Sequence, residues 1–199
     1  MDKISYHHDN LKNDLIEKGL ELLNEEGYKN FSLRKVAKSC GVSHTAPYRH
    51  FKNKDELIVA ITLEALQKFN DSLKVAVKKY PDDIKSQIKE MGFLYVKFFV
   101  ENPEYLQLLF LSDILKFINK NNILPNHSNH PFLTFFNAIE AFSLEQKNTS
   151  TNINFDKNAY ALECWGKVHG LAILIARKEY PYEGNYLELV RKIIWNEHK

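Results

Sequence analysis

The sequence predicts an all-α fold in which a small N-terminal three-helix domain is joined to a larger helical domain. Apolar residues recur at helical spacing along most of the 199 residues. The chain has only 7 Gly and 6 Pro, and the prolines lie between the periodic segments and not inside the long ones. A content of 44% hydrophobic and 26% charged residues is typical of a folded globular protein and excludes a disordered or fibrous chain.

The first two predicted helices are separated by helix-ending and helix-starting residues. Residues 11–26 carry an apolar face at i, i+3, i+4 spacing, and Gly27 follows as the stop. Ser32 is the expected N-cap of a short second helix, which Gly41 ends a few residues later. A very tight turn is therefore expected here.

Two further helices complete the first 80 residues. Ser43 is the expected N-cap of a third helix over residues 44–50. Asn53, with Glu56 three residues later, forms a capping box for a fourth helix, which continues to Tyr80 and Pro81.

The remaining chain repeats the same pattern. Asp82 is the expected start of the next helix, and Pro103 is placed at the first position of the one after it. Asp156 is the expected cap of a long helix. The other predicted segments are a loop over residues 119–130, a helix over 131–146, a loop over 147–154, a helix from 156 to about 178 and a last helix over 186–195.

Cysteine usage and hydropathy limit the class of protein. Cys40 and Cys164 have no C-x-x-C spacing, so neither a disulfide framework nor a cysteine-rich zinc site is expected. Residues 1–10 are polar, and the longest apolar run, 171–176, is too short to cross a bilayer. The sequence predicts a cytoplasmic protein without a membrane partner. Its predicted domains are residues 1–53 and 54–199.

The charge of the chain is unevenly distributed. Residues 29–54 carry seven Lys or Arg and no Asp or Glu, whereas the whole chain has a formal net charge of +2, so the remainder is net acidic. A basic segment attached to an acidic body is typical of a phosphate-binding module. A solvated basic face without a function is the alternative.

The basic segment contains a helix-turn-helix pattern. Ala37 allows two short helices to approach closely, and Gly41 supplies the positive φ of the turn. Val36, Val42 and Phe51 are expected to be buried. The side chains expected to face outward, where they can reach phosphates or base edges, are His44, Thr45, Tyr48, Arg49 and His50.

The order of these residues resembles the TetR/AcrR family of bacterial one-component transcriptional regulators. The similar strings are Gly27-Tyr28, Phe31-Ser32-Leu33-Arg34, Val36-Ala37, Gly41-Val42-Ser43, Tyr48-Arg49-His50-Phe51, and Lys54 with Leu57. The resemblance implies that Ser32, Tyr48, His50 and Lys54 hold phosphates, that Arg34 and Thr45 read bases, and that His44 serves either role. Together with Ser43 and Arg49, these are the candidate DNA-binding residues.

Two residues depart from the family pattern. Gly19 stands where the family usually carries Ala, and it weakens the first helix by about 1 kcal/mol. Pro47 lies in the first turn of the recognition helix, where it removes an N–H group and can tilt Tyr48 relative to Thr45.

A second string, residues 164–171 (Cys-Trp-Gly-Lys-Val-His-Gly-Leu), resembles the Trp-His-Gly motif of one TetR subfamily. Gly166 and Gly170 share a helix face on which a partner backbone can approach closely. The resemblance implies a homodimer through a four-helix interface, and the alternative is that this face packs inside one chain. The candidate interface residues are Leu162, Gly166, Gly170, Ile173, Leu187, Val190 and Ile194.

Aromatic residues are concentrated in the predicted second domain. They are expected either to form ordinary core or to line a pocket for a small apolar or aromatic molecule with few charges. The candidate pocket residues are Tyr95, Phe98, Phe99, Phe110, Phe132, Phe136, Trp165 and His169.

The sequence predicts no enzyme, cofactor or metal. His127 and His130 lack zinc spacing, and neither a Gly-rich phosphate loop nor a G-x-S-x-G motif is present. The expected function is a ligand-responsive, sequence-specific transcriptional regulator, a repressor released from a palindromic operator. Its expected partners are double-stranded DNA, a second copy of itself and an unknown small-molecule effector. The alternatives are a non-regulatory architectural DNA-binding protein or a helical enzyme.

Overall fold

The structure, a computed structural model, describes residues 11–114, 131–148 and 155–195. Within these ranges the chain is helical without a β-strand, which confirms the predicted all-α fold. The α-helices are α1 (Leu11–Asn30), α2 (Leu33–Ser39), α3 (Lys54–Lys79), α4 (Ile84–Glu101), α5 (Pro103–Leu106), α6 (Pro131–Asn148), α7 (Lys157–Ala176) and α8 (Tyr186–Trp195). A 3₁₀ helix spans Ala46–Arg49, and a π-helical turn, Gln107–Leu111, follows α5.

The described residues pack as two compact units, one of residues 11–65 and 107–114, and one of residues 66–106, 131–148 and 155–195. Helix α3 contributes residues to both. The predicted domain boundary after residue 53 stays a prediction, because a division by packing does not show which segment folds alone. None of the described helices combines the length and the hydropathy that a membrane crossing requires.

The first unit has a core of large apolar side chains. Leu15, Val36 and Leu57 are fully buried, and Phe31 and Phe51 are nearly so. The backbone leaves helical geometry at Gly27, with φ 70° and ψ 171°, and the chain then turns towards α2. Glycine adopts a positive φ without steric cost. The predicted stop at Gly27 is therefore present as a break in the helical geometry within α1, which resumes and ends at Asn30.

The second unit is built around α4, which packs against α6, α7 and α8. Its centre is a cluster of aromatic rings in which Phe69 lies 4.8 to 5.3 Å from three neighbours, Tyr95, Phe98 and Phe99. Glu90 is 4% exposed, and its carboxylate lies 3.0 Å from Lys79 Nζ.

Several helix ends follow their predicted caps. Asp156 accepts hydrogen bonds from the backbone N–H groups of Asn158 and Ala159, at 2.9 and 3.1 Å, as expected of the α7 N-cap. The predicted start at Asp82 is wrong, because the neighbouring Asp83 accepts from the Ser86 N–H at 2.9 Å. Helix α6 continues to residue 148, and α7 ends at residue 176, two residues earlier than predicted. The predicted loop over 119–130 lies outside the described residues.

Candidate nucleic-acid interface and ligand cavity

The turn after α2 has the geometry that the sequence predicts. Ser32 Oγ accepts a hydrogen bond from the Lys35 N–H at 3.3 Å and so caps α2. Gly41 has a φ of 67°, and the Val42 N–H donates to the Ala37 carbonyl at 3.0 Å. Ala37 is fully buried. Its small side chain allows the two helices to approach closely. The helix-turn-helix pattern therefore has its first helix and its turn in place.

The second helix of the pattern differs from the prediction. It is a short 3₁₀ helix over Ala46–Arg49 and not an α-helix over residues 44–50. Pro47 has no N–H to donate to the Ser43 carbonyl, which accepts instead from Ala46 N–H at 2.9 Å. The Ser43 hydroxyl hydrogen bonds with the Thr45 hydroxyl at 3.1 Å and caps no helix. The predicted N-cap role of Ser43 is therefore wrong.

Pro47 fixes the orientation of this helix. Its ring is buried, and its carbonyl accepts from the N–H groups of His50 and Phe51, both at 2.9 Å. Tyr48 is left 53% exposed. The exposed predicted contact residues are Arg34, Ser43, His44, Thr45, Tyr48, Arg49 and His50. Residues 43–50 thus present hydroxyl, imidazole and guanidinium donors to solvent, and Arg34 of α2 adds a second guanidinium group.

The cations of this segment differ in their availability. Arg34, Lys38 and Arg49 are exposed and form no ion pair with any described residue. Lys35 pairs with Glu26, and Lys52 lies 3.7 Å from the Glu56 carboxylate. Arg34 and Lys38 are one helical turn apart and share a face of α2. Lys38 was not among the predicted contact residues, although its i+4 spacing from Arg34 gave the signal.

Lys54 has a second role that the sequence did not predict. Its ammonium group donates to the Tyr28 carbonyl at 3.0 Å and lies 4.1 Å from the centre of the Tyr28 ring. The Tyr28 hydroxyl donates to Asp55 at 3.0 Å. The pKa of Tyr28 is raised mainly by burial and also by this hydrogen bond. These contacts hold the end of α1 against the start of α3. They leave only part of the Lys54 ammonium for a phosphate.

The N-terminus of α3 is capped as predicted. The Glu56 N–H donates to the Asn53 side chain at 3.0 Å, and the Glu56 carboxylate accepts from the Lys52 N–H at 2.7 Å. The N–H groups of Lys52 and Glu56 are therefore already occupied and do not bind a phosphate.

The second unit contains a cavity of about 250 Å³. Phe69 and Leu73 of α3 border it, together with residues of α4, α6 and α7 and with Ile194 of α8. Of the predicted pocket residues, Tyr95, Phe132 and Trp165 line it. The cavity is also lined by Lys85, Lys89 and Gly92, which were not predicted although their i, i+4, i+7 spacing places them on one side of α4.

The other predicted pocket residues are corrected by the structure. Phe98 and Phe99 are buried among other rings and do not border the cavity. Phe110 belongs to the first unit, and Phe136 is 43% exposed. His169 lies behind the lining, with its Nδ1 hydrogen bonded to the Tyr95 hydroxyl at 2.8 Å. Aromatic residues alone could not reveal which ring meets the cavity, because that depends on the packing of four helices.

Polar groups at the cavity have unusual surroundings. The Trp165 Nε1 is buried and meets no acceptor with hydrogen-bond geometry among the described residues. Burial raises the pKa of Tyr95, and the nearby Trp165 indole opposes that increase. Burial also raises the pKa of the Cys164 thiol and lowers the pKa of His169, so both groups are neutral near pH 7.

Helix α7 carries an exposed face of the kind expected at a dimer interface. Leu162 is 71% exposed, and an added Cβ at Gly166 or Gly170 would meet nothing within 4 Å. Ile173 and Leu187 are half-buried. Val190 is fully buried inside the chain, and Ile194 borders the cavity and packs beside Gly92, so both are corrected as interface residues.

Metal-binding side chains do not assemble within the described part of the chain, where no group of three or more His, Cys, Asp or Glu is placed to hold an ion. His127 and His130 lie outside the described residues.

Comparison with known proteins identifies the N-terminal segment. Residues 15–61 match the family model of the bacterial regulatory proteins, tetR family. An HTH-type transcriptional regulator of Staphylococcus aureus is 28% identical over 89 residues, which are 45% of this chain and 48% of that protein. The tetracycline repressor protein class D of Escherichia coli is 37% identical over 60 residues, 30% of this chain and 28% of that protein. The chain therefore spans less than half the length of these curated relatives.

A solved structure resembles nearly the whole chain. The fatty acid degradation regulator FadR from Bacillus halodurans has a TM-score of 0.67 and 17% sequence identity, and the match covers 92% of each chain. At this identity the match shows the fold alone, an N-terminal helix-turn-helix unit with a helical C-terminal region. The family match is confined to residues 15–61, a segment similar to the bacterial regulatory proteins of the tetR family.

Proposed function

From the TetR-family match of residues 15–61, we propose that this protein is a sequence-specific DNA-binding transcriptional regulator that acts as a homodimer. The observation that carries the proposal is the exposed 3₁₀ helix with its flanking cations, Arg34 and Lys38. Arg49 and His50 contact phosphates or base edges there, and Thr45 and Tyr48 add hydroxyl groups. Ser32, Ser43, His44 and Lys54 complete the contact set.

The homodimer matches a palindromic operator, with the two recognition helices one DNA turn, or about 34 Å, apart. The exposed face of α7 around Leu162, Gly166 and Gly170 supplies the contact between the two copies. We assign α7 to the Trp-His-Gly type, from Trp165, His169 and Gly170.

A small molecule bound in the cavity of the second unit weakens DNA binding. The names of two similar proteins, a tetracycline repressor and a fatty acid degradation regulator, mention small molecules. A ligand that prefers one conformation of the protein shifts the equilibrium towards it by the difference between its two affinities. Helix α3, which contributes residues to both units, transmits the shift, and the protein acts as a repressor released by its effector.

The deciding experiment is a gel-shift titration against the DNA that flanks the coding region, at two salt concentrations and with excess competitor DNA. A discrete complex that survives the competitor is expected. Arg49→Gln should weaken it about tenfold. Lys78→Gln, which removes the same charge from an exposed residue of the second unit, should leave the affinity within about twofold.

Other outcomes have defined meanings. Binding that disappears with competitor would indicate an architectural DNA-binding protein instead of a regulator. An absence of binding to flanking and random DNA even at low salt would contradict the proposal.

A further inference from the structure

The cavity of the second unit is bordered by an excess of positive charge. Lys85 and Lys89 lie one turn apart on α4, and Lys167 lies on α7, whereas Glu163 is the only acidic residue among the lining residues. Lys85 is exposed, and its ammonium group forms no ion pair with a described residue, although Lys85 lies near enough to Asp83 to help lower the pKa of that carboxyl. Lys89 and Lys167 are already engaged, with Lys89 Nζ 5.0 Å from the Trp195 ring and Lys167 Nζ 3.2 Å from the Ile193 carbonyl. Of the three lysines, Lys85 is therefore the one whose ammonium group makes no direct contact within the described residues.

The lining of the cavity combines a largely apolar surface with a few polar groups, among them the Tyr160 hydroxyl, the Cys164 thiol and the Trp165 N–H. Phe69, Leu73, Ile88 and Phe132 contribute aliphatic and aromatic surface. The buried Trp165 N–H meets no acceptor with full hydrogen-bond geometry among the described residues, although the Tyr95 hydroxyl lies near it, and a donor in that state gains free energy when a ligand supplies a better-placed acceptor. A ligand that fits must therefore combine an apolar body with a hydrogen-bond acceptor.

We propose that the effector is a small monocarboxylate with an apolar body, an inference that rests on the regulatory function proposed above. A carboxylate carries the charge that the lysines attract, and it accepts hydrogen bonds without donating any. The cavity, at about 250 Å³, is far larger than the space of about 15 Å³ that one water molecule requires. That volume suits a molecule the size of octanoate.

The positive charge at the cavity disfavours other head groups. An ammonium head would be repelled by the lysines, and a second donor would leave the Trp165 N–H unpaired. An alcohol of the same length fills the same volume but carries no charge for Lys85 to attract. The charge of the head group is therefore the feature to test.

The experiment is calorimetric titration of the full-length protein with octanoate and, separately, with 1-octanol. Octanoate is expected to bind about tenfold more tightly, because its hydrogen bonds are charge-assisted. Equal affinity for the two probes, or no binding of octanoate, would overturn the proposal.

Two variants assign the effect to the cavity. Lys85→Gln should weaken octanoate binding about threefold without changing octanol binding. Lys147→Gln is the matched control, since Lys147 is exposed on α6 and does not border the cavity, and it should bind octanoate as the wild type does. Trp165→Phe keeps an aromatic ring but removes the N–H, so it should weaken the binding of octanoate. Unchanged octanoate binding in both cavity variants would place the carboxylate elsewhere and contradict the assignment.

The gel shift separates this inference from the proposed function. A protein that holds operator DNA but ignores octanoate remains a regulator with a different effector, and the inference fails alone. A protein that binds octanoate in the cavity without binding DNA keeps the ligand assignment and loses the regulatory function.

Discussion

Gly19 shows how a single residue can look unfavourable in sequence and be required in the fold. A glycine in a helix interior costs about 1 kcal/mol relative to alanine. In the folded chain an added Cβ would lie 2.9 Å from Ile61 Cδ1 and 3.5 Å from Leu57 Cδ2. Ile61 is 1% exposed, so its side chain has little room to move away. The glycine permits the close approach of α1 and α3.

The first prediction concerns this contact. In the wild type, Gly19→Ala should not raise the free energy of unfolding, because the overlap with Ile61 offsets the gain in helix propensity. In an Ile61→Val background, which removes the overlapping Cδ1 atom, the same substitution should raise it by about 1 kcal/mol. Urea denaturation of the four proteins measures the difference. Equal effects of Gly19→Ala in both backgrounds would show that the two side chains do not meet.

The second prediction concerns the pH dependence that His169 introduces. Burial lowers the pKa of His169 in the folded protein, so the unfolded chain takes up its proton first as the pH falls. The stabilising contribution of neutral His169 is complete above its unfolded pKa, about 6.5, and it is lost as the pH falls below that value. The free energy of unfolding should therefore decrease between pH 7 and pH 5.

The variant His169→Gln tests the assignment in the same denaturation experiment. It should show a shallower decrease over this pH range than the wild type. His44→Gln is the matched control, because His44 is exposed in the first unit, and it should retain the wild-type slope. A slope that His169→Gln leaves unchanged would assign the pH dependence to other groups.

At the scale of single elements, the sequence predicted best what is decided locally. The caps at Ser32, Asn53 and Asp156 and the positive φ of Gly41 depend on residues within four positions, and all were found. The 3₁₀ geometry of the recognition helix was not predicted, although Pro47 was identified as a disturbance. It depends on which N–H group each carbonyl accepts, and the Ser43 carbonyl accepts from Ala46 N–H because Pro47 has no N–H to donate.

The third prediction separates two roles of Ser32, which caps α2 and is also a candidate phosphate contact. Ser32→Ala should lower the free energy of unfolding by about 1 kcal/mol, because the Lys35 N–H loses its acceptor. Ser32→Asp retains a cap and should preserve stability, but its negative charge should weaken DNA binding. Chemical denaturation and gel shift measure the two effects. If Ser32→Asp bound DNA as tightly as the wild type, Ser32 would not lie near a phosphate.

At the scale of the whole molecule, the sequence identified the face of α7 but not its neighbours. Gly166, Gly170 and Leu162 follow the i+4 spacing of one helix, which can be read directly. Whether Val190 and Ile194 point outward depends on how α8 packs on α4, and in the fold both are used inside the chain. The same limit applies to the aromatic residues, since Phe98 and Phe132 are indistinguishable until the helices are packed.

The fourth prediction follows from the open surface of α7. A residue that is 71% exposed and apolar, Leu162, lies on the same face as two glycines whose added Cβ atoms would meet nothing within 4 Å. A surface of this kind is typical of a contact between copies of a chain.

Gly170→Leu therefore has space within a single chain but not beneath a close partner helix. The variant should weaken dimerisation at least about tenfold, or 1.4 kcal/mol, and should retain its helical circular dichroism. Sedimentation velocity over a range of concentrations measures the change, with Lys12→Leu, an exposed residue of α1, as the control. A Gly170→Leu protein that dimerises as the wild type does would place the interface on another surface, because no partner backbone would then lie against this face of α7.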